Sequence, residues 1–197
     1  DNQDAAVSLF TSFFKEFGAY VLDADLICRE LVEPGKPAWN EISKIFGEEI
    51  LDPSGNLDRK KLARIVFENK KKKIELEEIL HPRVFESEKL KYESIRKKHP
   101  KALVIVDAAL LIESENYKNM DKVVVVDSDE KTRINRIQAR NKMSLDEVVA
   151  RMKNQMPGEE KKQYADFILE NSLDKDKLRE QVKDLNTKLS LLAVENI

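Results

Sequence analysis

The chain has 197 residues, 41% apolar and 37% charged, and its 35 basic side chains nearly balance 37 acidic ones for a net charge of −2. That length suits one large domain or a core with a small insertion, and the balance excludes a general polyanion-binding surface, so nucleic acid is not an expected partner and any phosphate must be met by local clusters. No run of about 18 apolar residues marks a membrane span, no signal peptide is visible, and the single cysteine, Cys28, rules out an internal disulfide and fits a reducing, cytoplasmic compartment.

Asp4 reads as the N-cap of a helix over residues 5–17, where Val7, Phe10, Phe14 and Phe17 recur at helical spacing and Gly18 ends the run. A strand over 19–24 follows and finishes in Val21-Leu22-Asp23-Ala24-Asp25. Side chains at i and i+2 of a strand share a face, so a strand running on through Asp25 would point both carboxylates the same way. Such a pair holds a metal, takes a proton, or stands in water as charges that end a strand. Taken alone, the pair favours the last reading.

Residues 26–100 read mostly as helix. Leu26–Val32 starts it, Pro34-Gly35 breaks it, and Ala38–Phe46 is a short amphipathic helix. Residues 52–56, Asp-Pro-Ser-Gly-Asn, form a turn. Leu57-Asp58-Arg59 opens a helix carrying Leu62, Ile65, Val66 and Phe67; another runs over 71–80, and His81-Pro82 begins a long one to Lys98. The run Lys70–Lys73 reads as a solvated face.

The second half changes rhythm. Residues 102–106 and 123–126 are continuous apolar runs, each ending in an aspartate, Asp107 and Asp127. Apolar residues at successive positions mark strands covered on both faces, as in parallel α/β sheets. Residues 166–170 form a weaker strand, and a helix over 174–193 closes the chain. Strands alternating with helices give an α/β fold with a doubly wound, mostly parallel sheet and a helical insertion after the first visible strand. Ligands in such folds collect at the carboxyl ends of the strands, where Asp25, Asp107 and Asp127 lie.

Arg133, Arg136 and Arg140 fall on one face of a helix over 129–141. Arginine suits phosphate because its planar fork donates two hydrogen bonds at once; the plainer reading is a solvated face. Ser144-Leu145-Asp146-Glu147 has the form of a capping box that starts a second helix, on which Arg151 and Gln155 share a face. Two arginine-bearing helices joined by a short loop resemble the lid of a phosphoryl-transfer enzyme. His81 and His99 are the only histidines; His81, before a proline, reads as a structural fastener more readily than as a base. No Cys/His cluster exists, so a structural zinc site is not expected.

In order and spacing these segments resemble the dephospho-CoA kinase family, over residues 13–182. The resemblance rests on Phe17 to Asp25, Arg29, Val32-Glu-Pro-Gly35, Phe46-Gly47, Leu57-Asp-Arg59 with Leu62 and Val66-Phe67, and Leu80-His-Pro82. It continues through Ala109-Leu-Leu-Ile-Glu113, Val125-Val-Asp127, Arg136 with Arg140, Arg151 with Gln155, and Ala165-Asp166 with Asn171. Family members usually carry proline where Ala109 stands.

The resemblance implies a P-loop kinase-like fold and transfer of the ATP γ-phosphoryl to the ribose 3′-hydroxyl of dephospho-CoA, the last step of coenzyme A synthesis. It implies a nucleotide-binding core of residues 1–30 and 101–197, a helical acceptor-binding insertion of 31–100, and a lid over 138–160. Asp25 becomes the candidate general base, with Asp23 near the metal or the acceptor and Arg136 on the transferring phosphoryl. Ser8, Arg140 and Asn171 fall on the ATP side; Arg29, Arg59, His81, Leu110 and Glu113 fall on the acceptor side. ATP and Mg²⁺ are the implied cofactors, with no complete metal-liganding set. The oligomeric state is left open.

The family begins with a strand and a loop of the form G-x-x-x-x-G-K-S/T, whose N–H groups and lysine cradle phosphates. An ungapped match lays Asp1 to Ser8 across that loop, with Val7 at the lysine position, Ser8 at the hydroxyl position and no glycine before Gly18. The expectation is that the strand and loop precede Asp1; a chain lacking them is expected to be inactive. Two other readings stand beside the kinase: a degenerate member that binds CoA-like ligands without turnover, and a nucleoside monophosphate kinase, which the long insertion after Asp25 disfavours.

Overall fold

The computed structural model describes residues 9–127, 134, 155–171 and 174–195. Its chain divides into two compact units, one of Val21–Ala108 and the other of Asp1–Tyr20 with Ala109–Ile197.

In the Val21–Ala108 unit, strand β1 (Tyr20–Asp23) leads directly into helix α2 (Ala24–Leu31). Helices α3 (Pro37–Phe46), α4 (Arg59–Glu68) and α5 (Lys70–Lys98) follow, then strand β2 (Val104–Asp107), which pairs with β1. Each helix start is written in the sequence. Pro37 occupies the first turn of α3, where its missing N–H costs nothing. Asp58 caps α4 through Lys60 and Lys61, and Asn69 caps α5 through Lys72. The expected turn at Asp52–Asn56 is present. Asp52 accepts the N–H groups of Ser54 and Asn56, Trp39 donates to the Gly55 carbonyl at 2.9 Å, and Leu51 bridges Leu57.

The sequence suggests two helices over 71–98 broken at His81-Pro82, but the structure has one, α5, with Pro82 inside it. An interior proline removes one helical hydrogen bond and crowds the carbonyl four residues back. Packing on both sides of the proline outweighs that cost. Ile79 is buried with Ala38, Ile42, Phe46, Ile50, Leu57 and Leu62, whereas Val84 is buried with Leu22 and Ile27. The Arg83 guanidinium also donates to the Ile79 carbonyl at 2.6 Å and to Glu41. Helix α5 is thus the spine joining two apolar clusters, and Lys91 ties it to Glu30 of α2 at 2.8 Å.

The other unit pairs α1 (Leu9–Glu16) with the last helix. Its later elements are β3 (Val124–Asp127), the short α6 (Gly158–Lys162), β4 (Phe167–Glu170) and α7 (Lys175–Glu195). Phe13 and Phe14 of α1 are buried, as are Leu178, Val182, Leu185 and Leu189 of α7, spaced as one helical stripe. Glu16 forms an ion pair with Arg179, whose guanidinium also lies 5.2 Å from the Phe17 ring centre. Strands β3 and β4 are parallel, with Val124 opposite Phe167 and Asp127 opposite Glu170. Ile168 is exposed while Leu169 is buried, so β4 is covered on one face. The Gln181 amide exchanges two hydrogen bonds with the backbone of Glu170 and occupies part of that edge.

The expected α/β class is found, with two two-stranded pairings among the described residues, of which β3–β4 is parallel as expected. Val7 of the expected aromatic stripe and the helices expected over 129–141 and from Ser144 lie outside the described residues, apart from Ile134 and Gln155.

Ile42 is fully buried and Phe67 is 61% exposed. Ile42→Ala is expected to lower stability by about 2–4 kcal/mol in urea denaturation, and Phe67→Ala by less than about 1 kcal/mol.

Candidate active site

The turn from β1 into α2 sets the carboxylate geometry. Asp23 is the last residue of β1, with extended φ and ψ of −94° and 109°, and its Oδ1 accepts the Leu26 N–H at 2.9 Å. The strand therefore stops at Asp23, and the shared strand face for Asp23 and Asp25 is not realised. Aspartate is both a common strand terminator and a preferred helix cap, and here the cap decides the backbone. Asp25 falls instead in the first turn of α2 and is exposed. A carboxylate there meets the positive end of the helix dipole.

Helical spacing then places Arg29 one turn beyond Asp25, with Cys28 beside it. Arg59 opens α4 just after its Asp58 cap. Burial pushes the Cys28 thiol above its ordinary range; the Asp25 charge pushes it further, and Arg59 and Arg29 pull it back. The charges of all three side chains predicted for the site are thus felt at this half-buried thiol. All three are exposed, and none forms an ion pair among the described residues. Nearby charges do pair: Glu30 of α2 with Lys91 of α5, and Lys61 of α4 with its cap Asp58. Unpaired arginines beside an unpaired carboxylate leave donors and an acceptor open to a ligand.

His81 lies inside α5, not at a helix start, and its ring stacks on Phe85 with centroids 5.7 Å apart and planes at 20°. That contact is the fastener role its position suggests.

In the other unit, β3 ends at Asp127, whose carbonyl accepts the Asn171 N–H at 2.7 Å just after β4. Asn171 therefore stands at the carboxyl end of a parallel pair, where such sheets place ligands. The Asp127 carboxylate meets Lys162 at 2.6 Å, and Lys162 also meets Glu159. Leu110 is 40% exposed. Glu113 accepts the Met156 N–H at 2.9 Å and Lys161 Nζ at 2.8 Å, both through Oε1. Burial pushes the Glu113 carboxyl up, but the Lys161 and Met156 hydrogen bonds outweigh it and hold the group below its ordinary value. Ser8, Arg136 and Arg140 lie outside the described residues.

No group of three His, Cys, Asp or Glu side chains among the described residues could hold a metal ion, and no described helix is long and apolar enough to cross a membrane. The sequence reading missed Lys161 and Lys162. Each is one lysine in a run of charged residues, with nothing to separate it from a solvated face; only the fold shows that both are tied down.

Solved structures share this architecture. The crystal structure of TT1252 from Thermus thermophilus superposes with a TM-score of 0.75 at 31% identity, covering 91% of this chain and 89% of that one. Dephospho-CoA kinase from Campylobacter jejuni superposes with a TM-score of 0.64 at 30% identity, covering 94% of both chains. Together with the parallel β3–β4 pair and the carboxylate turn into α2, they define an α/β protein of the P-loop kinase kind. The family can be stated more closely. The dephospho-CoA kinase family model matches residues 5–177. A dephospho-CoA kinase of Bacillus thuringiensis is 42% identical over 164 residues, 83% of this chain and 82% of its own. The chain belongs to the dephospho-CoA kinase family.

The depressed Glu113 carboxyl has a consequence for stability. Its contribution is present above the ordinary glutamate pKa of about 4.3 and is lost as pH falls through the lower, folded-state value. Melting curves of wild type and Glu113→Gln are expected to be separated near neutral pH and to converge on acidification below about pH 4. A separation that does not change with pH would contradict this.

Proposed function

We propose that the full-length protein transfers the γ-phosphoryl of ATP to the ribose 3′-hydroxyl of dephospho-CoA. The observation that carries the reading is that Asp25, Arg29 and Arg59 are exposed and form no ion pair among the described residues, with Arg29 one turn of α2 beyond Asp25, in a chain of this family. Residues 31–100 form the acceptor-binding insertion. Residues 1–30 and 101–197 form the nucleotide-binding core, with the lid over 138–160.

In this reading Arg29 and Arg59 donate to anionic groups of the acceptor, His81 and Leu110 lie on the acceptor side, and Glu113 supports that side through Lys161. The 3′-hydroxyl oxygen bonds to the γ-phosphorus, its proton passes to the Asp25 carboxylate, and the bond to the β-phosphate bridge oxygen breaks to release ADP. General-base help of this kind contributes roughly 10²–10⁴-fold. Most of the remaining work in phosphoryl transfer is positioning and charge stabilisation. Arg136 and Arg140 supply the forked donors for the transferring group, Ser8 lies on the phosphate side, and Asn171 contacts the adenine end.

Mg²⁺ in kinases is held largely by substrate phosphates and water with one or two carboxylates. Asp23, whose Oδ1 accepts the Leu26 N–H, would stand near such an ion and reach it through water. The ion would neutralise phosphate charge. The lone cysteine and the family's chemistry fit a cytoplasmic setting.

A substrate panel tests the assignment. Full-length protein with ATP and Mg²⁺ is expected to phosphorylate dephospho-CoA, with the new phosphate at the ribose 3′ position by ³¹P NMR, and to leave nucleoside monophosphates unchanged. Binding of dephospho-CoA without turnover would favour the degenerate binding member. Turnover of nucleoside monophosphates alone would overturn the proposal.

A further inference from the structure

The ion pair between Lys161 and Glu113 is the most enclosed among the described residues, with side chains only 19% and 20% exposed. Lys161 does more than neutralise Glu113: its Nζ also donates to the Ala109 carbonyl at 2.9 Å. One ammonium therefore holds both ends of the segment 109–113. Between them, Ile112 is buried and Leu110 projects outward, with its carbonyl bound by the Ser114 N–H. Tyr117 closes the turn by donating its N–H to the Leu111 carbonyl.

Glu113 is poorly arranged to meet a ligand. Oε1 is committed to Lys161 and to the Met156 N–H. Oε2 is buried and takes no hydrogen bond among the described residues. We propose that Lys161 is a positioning residue for the acceptor, fixing the 109–113 segment that presents Leu110, and that Glu113 serves as the anchor of Lys161 and not as a direct substrate contact. This rests on the dephospho-CoA kinase reading for its substrate and on the hydrogen-bond geometry for its mechanism. Two close contacts from one ammonium explain why an acidic side chain stands at the end of an apolar turn. An enclosed carboxylate needs a cation, and that cation reaches the other end of the same turn.

Two measurements on the full-length protein test it. Lys161→Met removes the ammonium with little change in bulk, and Lys161→Arg restores donors. Amide hydrogen exchange over residues 110–117 is expected to quicken in Lys161→Met and to return toward wild type in Lys161→Arg; unchanged exchange overturns the positioning role whatever the substrate. In steady state, Lys161→Met is expected to raise KM for dephospho-CoA about tenfold, leave KM for ATP within about twofold, and be partly rescued by arginine. Equal rises in both KM values would overturn the acceptor assignment. The double variant Lys161→Met/Glu113→Gln is expected to match Lys161→Met alone, because both act through one contact. Additive losses would mean that Glu113 touches the substrate itself and would overturn its anchor role. A wild-type protein that does not turn over dephospho-CoA would instead sink the activity, while the exchange experiment would still judge the pair.

Discussion

The hydrogen bond from the Leu26 N–H to the Asp23 carboxylate sets the phase of α2, and the exposure of Asp25 and Arg29 depends on that phase. An α-helix advances about 100° per residue. Starting it at Ala24 sends Ile27 into the cluster with Leu22 and Val84 and leaves Asp25 and Arg29 in solvent. A start one residue later would rotate the whole set. The cap also separates two similar side chains. Asp23 is committed to the backbone, and Asp25 keeps its carboxylate free at the positive end of the helix.

Rigid support for that turn comes from α5. Its two buried contacts, Ile79 on one side of Pro82 and Val84 on the other, belong to different clusters. The helix crosses a residue that would ordinarily break it, and α2 and α4 both pack against the result. Arg59 rides on α4, so the same spine supports both arginines. In the other unit charge takes the corresponding part. Lys161 and Lys162, neighbours on one short helix, reach Glu113 and Asp127 at 2.8 and 2.6 Å. One fixes a turn, and the other secures α6 to the end of β3.

Much of this was readable from residue order. The four strands lie within the expected apolar runs, two of which end at Asp107 and Asp127. Asp58 and Pro37 mark helix starts as their chemistry requires. Three features were not readable, each for a physical reason. Asp23 could end a strand or cap a helix, and the letter is the same for both. Pro82 argues locally for a break, and only tertiary packing on either side overrides it. Lys161 sits in Glu-Glu-Lys-Lys, where composition favours solvent, and its partners lie 48 and 52 residues away in the chain. Family resemblance supplied roles for Asp25, Arg29 and Arg59. The structure adds that all three are exposed and form no ion pair among the described residues.

The most direct test of the division between the two aspartates is to compare kcat for Asp23→Asn and Asp25→Asn in the full-length protein. Asparagine caps a helix about as well as aspartate, so Asp23→Asn should keep α2 in place and lose no more than about tenfold. Asp25→Asn removes the proposed proton acceptor and should lose about 10²–10⁴-fold, with KM for dephospho-CoA little changed. Wild-type kcat in Asp25→Asn, or an equal loss in Asp23→Asn, would contradict the account.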